Sequence, residues 1–175
     1  MVVLIHSFGG KMVSEIPKRK TIRLKEFDYS SCGAYFITIC TSDKRNHFWK
    51  TVGATIGRPQ DVELNLHGKI VDEAINQIQK IYNSVLVDSY VIMPDHIHLI
   101  LIIHADEYGR PMVAPTVSRI ISQMKGYVTK RIGKSIWQKL FFDHIIRNKQ
   151  DYEEHVKYIY ENPLHRTYDE LYTKK

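Results

Sequence analysis

Apolar positions along this chain switch repeatedly between a two-residue and a helical period. Residues 33–41, reading Gly-Ala-Tyr-Phe-Ile-Thr-Ile-Cys-Thr, are rich in β-branched and aromatic side chains and predict a central strand. Residues 44–59 read as loop, with a weak apolar excursion at Phe48-Trp49, and 62–66 suggest a short strand. Over 68–82 the apolar residues Ile70, Val71, Ala74, Ile75, Ile78 and Ile81 share one helical face. Strand-like segments follow at 85–93 and 96–103. The Pro94-Asp95 turn between them predicts a hairpin. Residues 105–115 are polar, carry Gly109, Pro111 and Pro115, and read as a loop. Val117, Ile120, Ile121, Met124, Val128 and Ile132 predict a second helix over 116–132. A strand over 141–146 and a last helix over 149–162 complete the pattern, with Pro163 expected to stop that helix.

The order is strand, helix, strand, strand, helix, strand, then an additional helix. It predicts an α+β protein of the ferredoxin-like, split β-α-β class: an antiparallel sheet with helices on one face, plus an extra C-terminal helix. A length of 175 residues suits one domain, and a hydrophobic content of 43% supplies a core. The expected boundaries are an N-terminal extension without order over 1–17, one domain over 18–165 and a short tail over 166–175. Residues 1–10 are apolar but lack a basic leader region and a small-residue cleavage site, so no signal peptide is expected. No apolar run approaches the ~18 residues of a membrane span. Cys32 and Cys40 show neither CxxC nor Cys-His spacing and read as reduced core thiols of a cytoplasmic protein.

Charge adds a partner to this picture. Lys and Arg exceed Asp and Glu by 25 to 19, a net charge of +6 that favours a polyanion. The cations cluster at Lys18-Arg19-Lys20 and, on the second predicted helix, at Lys125, Lys130 and Arg131, where they can meet phosphates. In most proteins such helix residues form only a solvated face. Tyr29 and Tyr35 are either stacking platforms for bases or core residues.

The densest chemistry lies in Asp95-His96-Ile97-His98-Leu99. Side chains two apart on a strand project from one face, so His96 and His98 point together while Ile97 faces the core. Two neutral imidazoles so placed form half of a site for a divalent ion. A third ligand and a nucleophile must come from elsewhere. In the last helix Tyr158 and Asn162 are one turn apart and share a face, whereas Tyr160 is turned about 200° from Tyr158. Such a helix laid across the sheet brings the phenol over the imidazoles, with the Asn162 amide as an oxygen ligand. Mixed imidazole and oxygen ligands suit Mg2+ or Mn2+, whereas imidazole alone would equally suit zinc. Taken singly, these residues have plainer readings. Tyr158 is one of eleven tyrosines, and Asn162 reads as the last residue of its helix. His144 reads as a core histidine bonded to backbone, and Trp137 and Phe142 as core.

Taken together they resemble a known family. Met93-Pro94-Asp95-His96-Ile97-His98 resembles the His-hydrophobe-His strand of the HUH single-tyrosine transposases. Ile136-Trp137-Gln138, the run from Phe142 to Asn148, and Tyr158-Ile159-Tyr160-Glu161-Asn162-Pro163 are similar to the branch called REP-associated tyrosine transposases. So are the basic arm from Lys18, Asp28-Tyr29-Ser30, and the strand from Gly33 to Thr38. The resemblance implies that His96 and His98 are metal ligands and that Tyr158 is the nucleophile. Asn162 stands where insertion-sequence members carry glutamine. It also implies a metal-dependent endonuclease and strand transferase for single-stranded DNA, forming a 5′-phosphotyrosine on hairpin DNA. Such a protein works as a monomer or a homodimer, and Lys18, Arg19, Lys20, Lys125, Lys130 and Arg131 would hold the DNA. The alternatives are a non-catalytic hairpin-binding protein that keeps the fold and a metal-dependent hydrolase of small molecules; charge disfavours the hydrolase.

Overall fold

A computed structural model describes residues 32–50, 63–104 and 116–172, with side chains as far as 162 in the last helix. Its elements are β1 (Gly33–Cys40), α1 (Leu66–Ile81), β2 (Val85–Ile92), β3 (His96–Ile103), α2 (Val117–Ile132), β4 (Phe142–Ile146) and α3 (Lys149–Tyr172). The strands form one sheet in the order β2-β3-β1-β4, with every neighbouring pair antiparallel. This is the expected ferredoxin-like α+β arrangement with an added C-terminal helix. The basic arm at Lys18, Arg19 and Lys20, Tyr29 and the expected 105–115 loop lie outside the described residues.

Strand alternation divides the sheet into two faces. Tyr35, Ile37 and Ile39 of β1 and Ile97, Leu99, Leu101 and Ile103 of β3 are buried in one cluster with the apolar stripes of α1 and α2. The intervening positions, Phe36 and Thr38 of β1 with His96 and His98 of β3, face the other side. Tyr35 is fully buried, so it belongs to the core and offers no surface for a base.

Local signals explain the helix starts. Asn65 caps α1 by accepting from the Gly68 N–H at 3.0 Å, and its amide donates to the carbonyls of His47 and Trp49. That cap replaces most of the strand expected over 62–66: among the described residues it shrinks to a single bridge, Trp49 with Leu64. A Cβ on Gly68 would stand 2.4 Å from the Phe48 carbonyl. Glycine thus allows the loop to press beneath α1, where Phe48 is fully buried. Thr116 caps α2 and Gly133, at φ 84°, ends it in the left-handed region.

Three expectations need correction. Pro163 does not stop the last helix, which runs to Tyr172. A proline removes one backbone bond and crowds the preceding turn, but leaves the following residues free to stay helical; Asn162 is therefore not a helix end. The cysteines are free, as expected, yet neither is in the core: Cys32 is exposed and Cys40 half-buried. Phe142 is also exposed, because it opens the edge strand β4. Among the described residues, no helix is long and apolar enough to cross a membrane.

Candidate active site

The site forms where α3 crosses the sheet face left open by α1 and α2. Ile159, buried at 2% exposure, anchors the helix, and the Tyr152 hydroxyl donates to Asp88 of β2 at 2.8 Å. Strand register sets His98 opposite Thr38 and His96 opposite Cys40. The two imidazoles lie edge to face with ring centres 4.6 Å apart. His96 Nδ1 is 2.7 Å from the Asp95 carboxylate, and His98 Nδ1 is 2.8 Å from the Thr38 hydroxyl. Each ring is thus oriented through Nδ1, an arrangement that directs Nε2 to a ligand when Nδ1 carries the proton.

Tyr158 stands beside His98, the inner member of the pair. Its ring centre is 5.1 Å from that of His98 and 5.9 Å from that of Phe36, while Phe36 stacks on His98 at 5.3 Å. An open cavity of about 320 Å³ is lined by Phe36, Thr38, His98, Glu154, His155 and Tyr158. Tyr158 is half-exposed, so its phenol is reachable from solvent, and Tyr160 is still more exposed. The phenol and the imidazole belong to the same chain, and their approach requires no second copy.

The donor set fits a divalent ion. His98 Nε2 is buried and has no hydrogen-bond partner. An unpaired buried polar atom costs roughly 1–3 kcal/mol, which coordination removes. Asn162 is half-buried one turn beyond Tyr158, and its side-chain Nδ2 is likewise buried without a partner. Exchanging amide nitrogen and oxygen, a choice fixed only by the bonds they make, presents an acceptor at that point.

Burial, reinforced by the neighbouring His96, lowers the His98 pKa to about 3. This ring stays neutral, as a ligand must. An ordinary imidazole titrates near ~6.5, so below that pH the unfolded chain binds a proton that the folded chain refuses. The stabilising contribution is complete above pH ~6.5 and declines toward pH ~3, by at most about 1.4 kcal/mol per pH unit. We expect the urea midpoint of chelator-treated protein to fall between pH 6.5 and 4, with His98→Ala flattening that fall. Equal slopes in both proteins would contradict this assignment.

The basic residues have other engagements. Lys125 donates to the carbonyls of Gln138 and Leu140 at 3.0 and 3.2 Å, and its pKa is lowered by burial. Arg131 reaches Glu73 at 3.5 Å, whereas Lys130 is exposed. All three ride on α2, in the layer on the opposite side of the sheet from Tyr158. His144 also departs from expectation. It is exposed and bonds the Asp151 carboxylate at 2.9 Å instead of backbone, because β4 is an edge strand and α3 folds back beside it. Sequence reading missed Phe36, Thr38, Glu154 and His155. Alternation from the buried Ile37 would have found Phe36 and Thr38, and one-turn spacing from Tyr158 would have found Glu154 and His155.

Comparison with known proteins adds ancestry to this geometry. No family model matches the chain. A protein of Haemophilus influenzae described as uncharacterized is 31% identical over 176 residues, covering 90% of this chain and 94% of its own length. The REP-associated tyrosine transposase of Escherichia coli is 35% identical over 79 residues, 45% of this chain and 44% of that protein. A putative REP-associated tyrosine transposase of Haemophilus influenzae is 23% identical over 158 residues, 82% of this chain and 77% of its own. The chain is thus similar to REP-associated tyrosine transposases, over part of its length or at low identity. A solved REP-associated tyrosine transposase bound to a REP hairpin shares the fold, with a TM-score of 0.57 and 23% identity across 82% of this chain and 74% of that one. Within the shared fold, His96 and His98 lie on the inner strand β3 and Tyr158 on the appended helix α3.

Proposed function

We propose that this protein is a metal-dependent endonuclease and strand transferase for single-stranded DNA, acting on hairpin substrates through Tyr158. The observation that carries the reading is the 5.1 Å approach of the Tyr158 ring to His98 across an open cavity. The name of the Escherichia coli relative and the hairpin bound to the fold's solved counterpart support it.

In this reading His96, His98 and the Asn162 side chain would hold a divalent ion. A divalent ion held there, Mg2+ or Mn2+, supplies positive charge for the nonbridging oxygens of a phosphodiester. Asp95 and Thr38 fix the two rings, and neutral ligands would leave the ion's charge undiminished. Tyr158 loses its phenolic proton to solvent and attacks phosphorus. The bond to the 3′ oxygen breaks, and that oxygen takes up a proton. The products are a 5′-phosphotyrosine and a free 3′-hydroxyl. Attack by another 3′-hydroxyl reverses the step and joins new strands without ATP, because the phosphodiester energy is kept in the covalent link. Lys18, Arg19 and Lys20 bind phosphates of the hairpin, with Lys130 and Arg131 meeting more distant ones across the sheet. Lys125, tied to two carbonyls, has the weakest case for a phosphate contact.

A labelled hairpin oligonucleotide with a single-stranded flank, incubated with Mg2+, is expected to yield a band retained on the protein in a denaturing gel. The band disappears with chelator. Tight hairpin binding without any such band, with or without metal, would favour the non-catalytic alternative.

A further inference from the structure

Strand pairing places two β4 residues on the side of the sheet that bears His96 and His98. His144 lies opposite Phe36 of β1, and Phe142 lies opposite Thr38; residues so paired share one face. The row of Phe36 and His144 is covered by α3, where His155 stacks on His144 at 4.7 Å and packs on Phe36 at 4.5 Å. The next row runs from Phe142 through Thr38 to His98, which the register sets opposite Thr38. The Thr38 hydroxyl is 2.8 Å from His98 Nδ1. Phe142, the outer member of that row, keeps 52% of its surface exposed. We propose that Phe142 is a stacking platform for an unpaired base in the single-stranded segment that flanks the hairpin. The assignment rests on the single-stranded DNA reading above and adds to it a residue that grips the strand beside the reacting phosphate.

Location separates this ring from an ordinary exposed apolar side chain. It ends a continuous row that begins at an imidazole of the pair. Neighbouring strands lie about 4.8 Å apart, so two strand spacings put Phe142 about 10 Å from His98. A base seated there is close to the phosphodiester under attack without occupying its place. An aromatic ring accepts a base of any identity, because every base presents a π face. The ring and the base leave water together, and neither surrenders a hydrogen bond in doing so.

Charge selects the occupant. Lys139 and Arg147 bracket β4, and both are exposed. Cations at the two ends of this edge strand suit a phosphate backbone passing along it. A second copy of the chain added to the same edge would bring like charges together.

The test is binding by the full-length protein, with chelator present to stop the proposed cleavage. The probes are a DNA hairpin with a short oligothymidylate flank and the same hairpin trimmed blunt. The unsubstituted protein is expected to bind the flanked hairpin more tightly. Phe142→Ala is expected to weaken that binding at least about fivefold and to leave the blunt hairpin within about twofold. Phe142→Trp is expected to keep the preference for the flank. No loss with Phe142→Ala, or equal loss on both hairpins, overturns the proposal and leaves the nuclease reading intact. Failure of the unsubstituted protein to bind either hairpin overturns both. A Phe142→Ala protein that is monomeric where the parent is dimeric assigns the ring to a contact between copies and likewise overturns the proposal. A flank carrying 5-iodouracil, irradiated on the unsubstituted protein, gives a readout that no substitution can disturb. A crosslink mapped to Phe142 supports the platform, and crosslinks confined to other residues overturn it.

Discussion

Tyr158→Phe is expected to eliminate the covalent protein–DNA adduct and lower strand cleavage by about 10³-fold or more, while hairpin affinity stays within about threefold of the parent. The substitution removes one oxygen and keeps the ring. The edge contacts with His98 and Phe36 at 5.1 and 5.9 Å therefore persist, and the helix should remain seated. Because the parent phenol is half-exposed, its loss leaves no buried polar atom stranded. A fall in activity without a fall in stability then reports on chemistry alone. The neighbouring Tyr160→Phe, on a more exposed ring outside the cavity lining, should leave cleavage within about twofold. An adduct that survives Tyr158→Phe and vanishes with Tyr160→Phe would reverse the assignment.

The second large effect is expected at His98. His98→Ala should lower metal-stimulated cleavage by at least about 100-fold, and the residue of activity should no longer respond to added Mg2+ or Mn2+. The substitution deletes a ring stacked on Phe36 and bonded to Thr38, so some packing is lost. It also deletes a buried nitrogen without a partner, which moderates that loss. Cleavage titrated against Mg2+, with unfolding followed in parallel, separates the two effects. Full activity restored at high Mg2+ would mean that His98 only assists binding; full activity at ordinary Mg2+ would exclude it as a ligand.

Much of the architecture was legible because hydrophobic period and turn chemistry agreed. The stripe from Ile70 to Ile78 and the Pro94-Asp95 turn both pointed to what formed, whereas Ile81, at the last residue of α1, is exposed. The alternation that set Ile97 inward and His98 outward followed from pleating alone. The failures have physical causes. The 62–66 strand gave way because Asn65 is a stronger helix cap than its neighbours are strand formers, and a cap depends on one side chain that averaging hides. Pro163 was read as a stop although proline forbids only one bond. Cys32 and Phe142 were read as core from residue type, whereas exposure depends on strand ends and sheet edges. The site was legible as separate halves, a strand pair and a helix pair. His155 and the role of Asp151 were hidden because their partner, His144, comes from another element.

The most direct measurement is the identity of the residue that carries the DNA. A hairpin substrate is incubated with the protein and Mg2+, the denatured complex is digested with protease and nuclease, and the modified peptide is sequenced by tandem mass spectrometry. The account predicts a phosphonucleotide on the Tyr158 oxygen, joined to the 5′ side of the cleaved strand. A modification mapped to any other residue, or cleavage that leaves both ends free of protein, would contradict it.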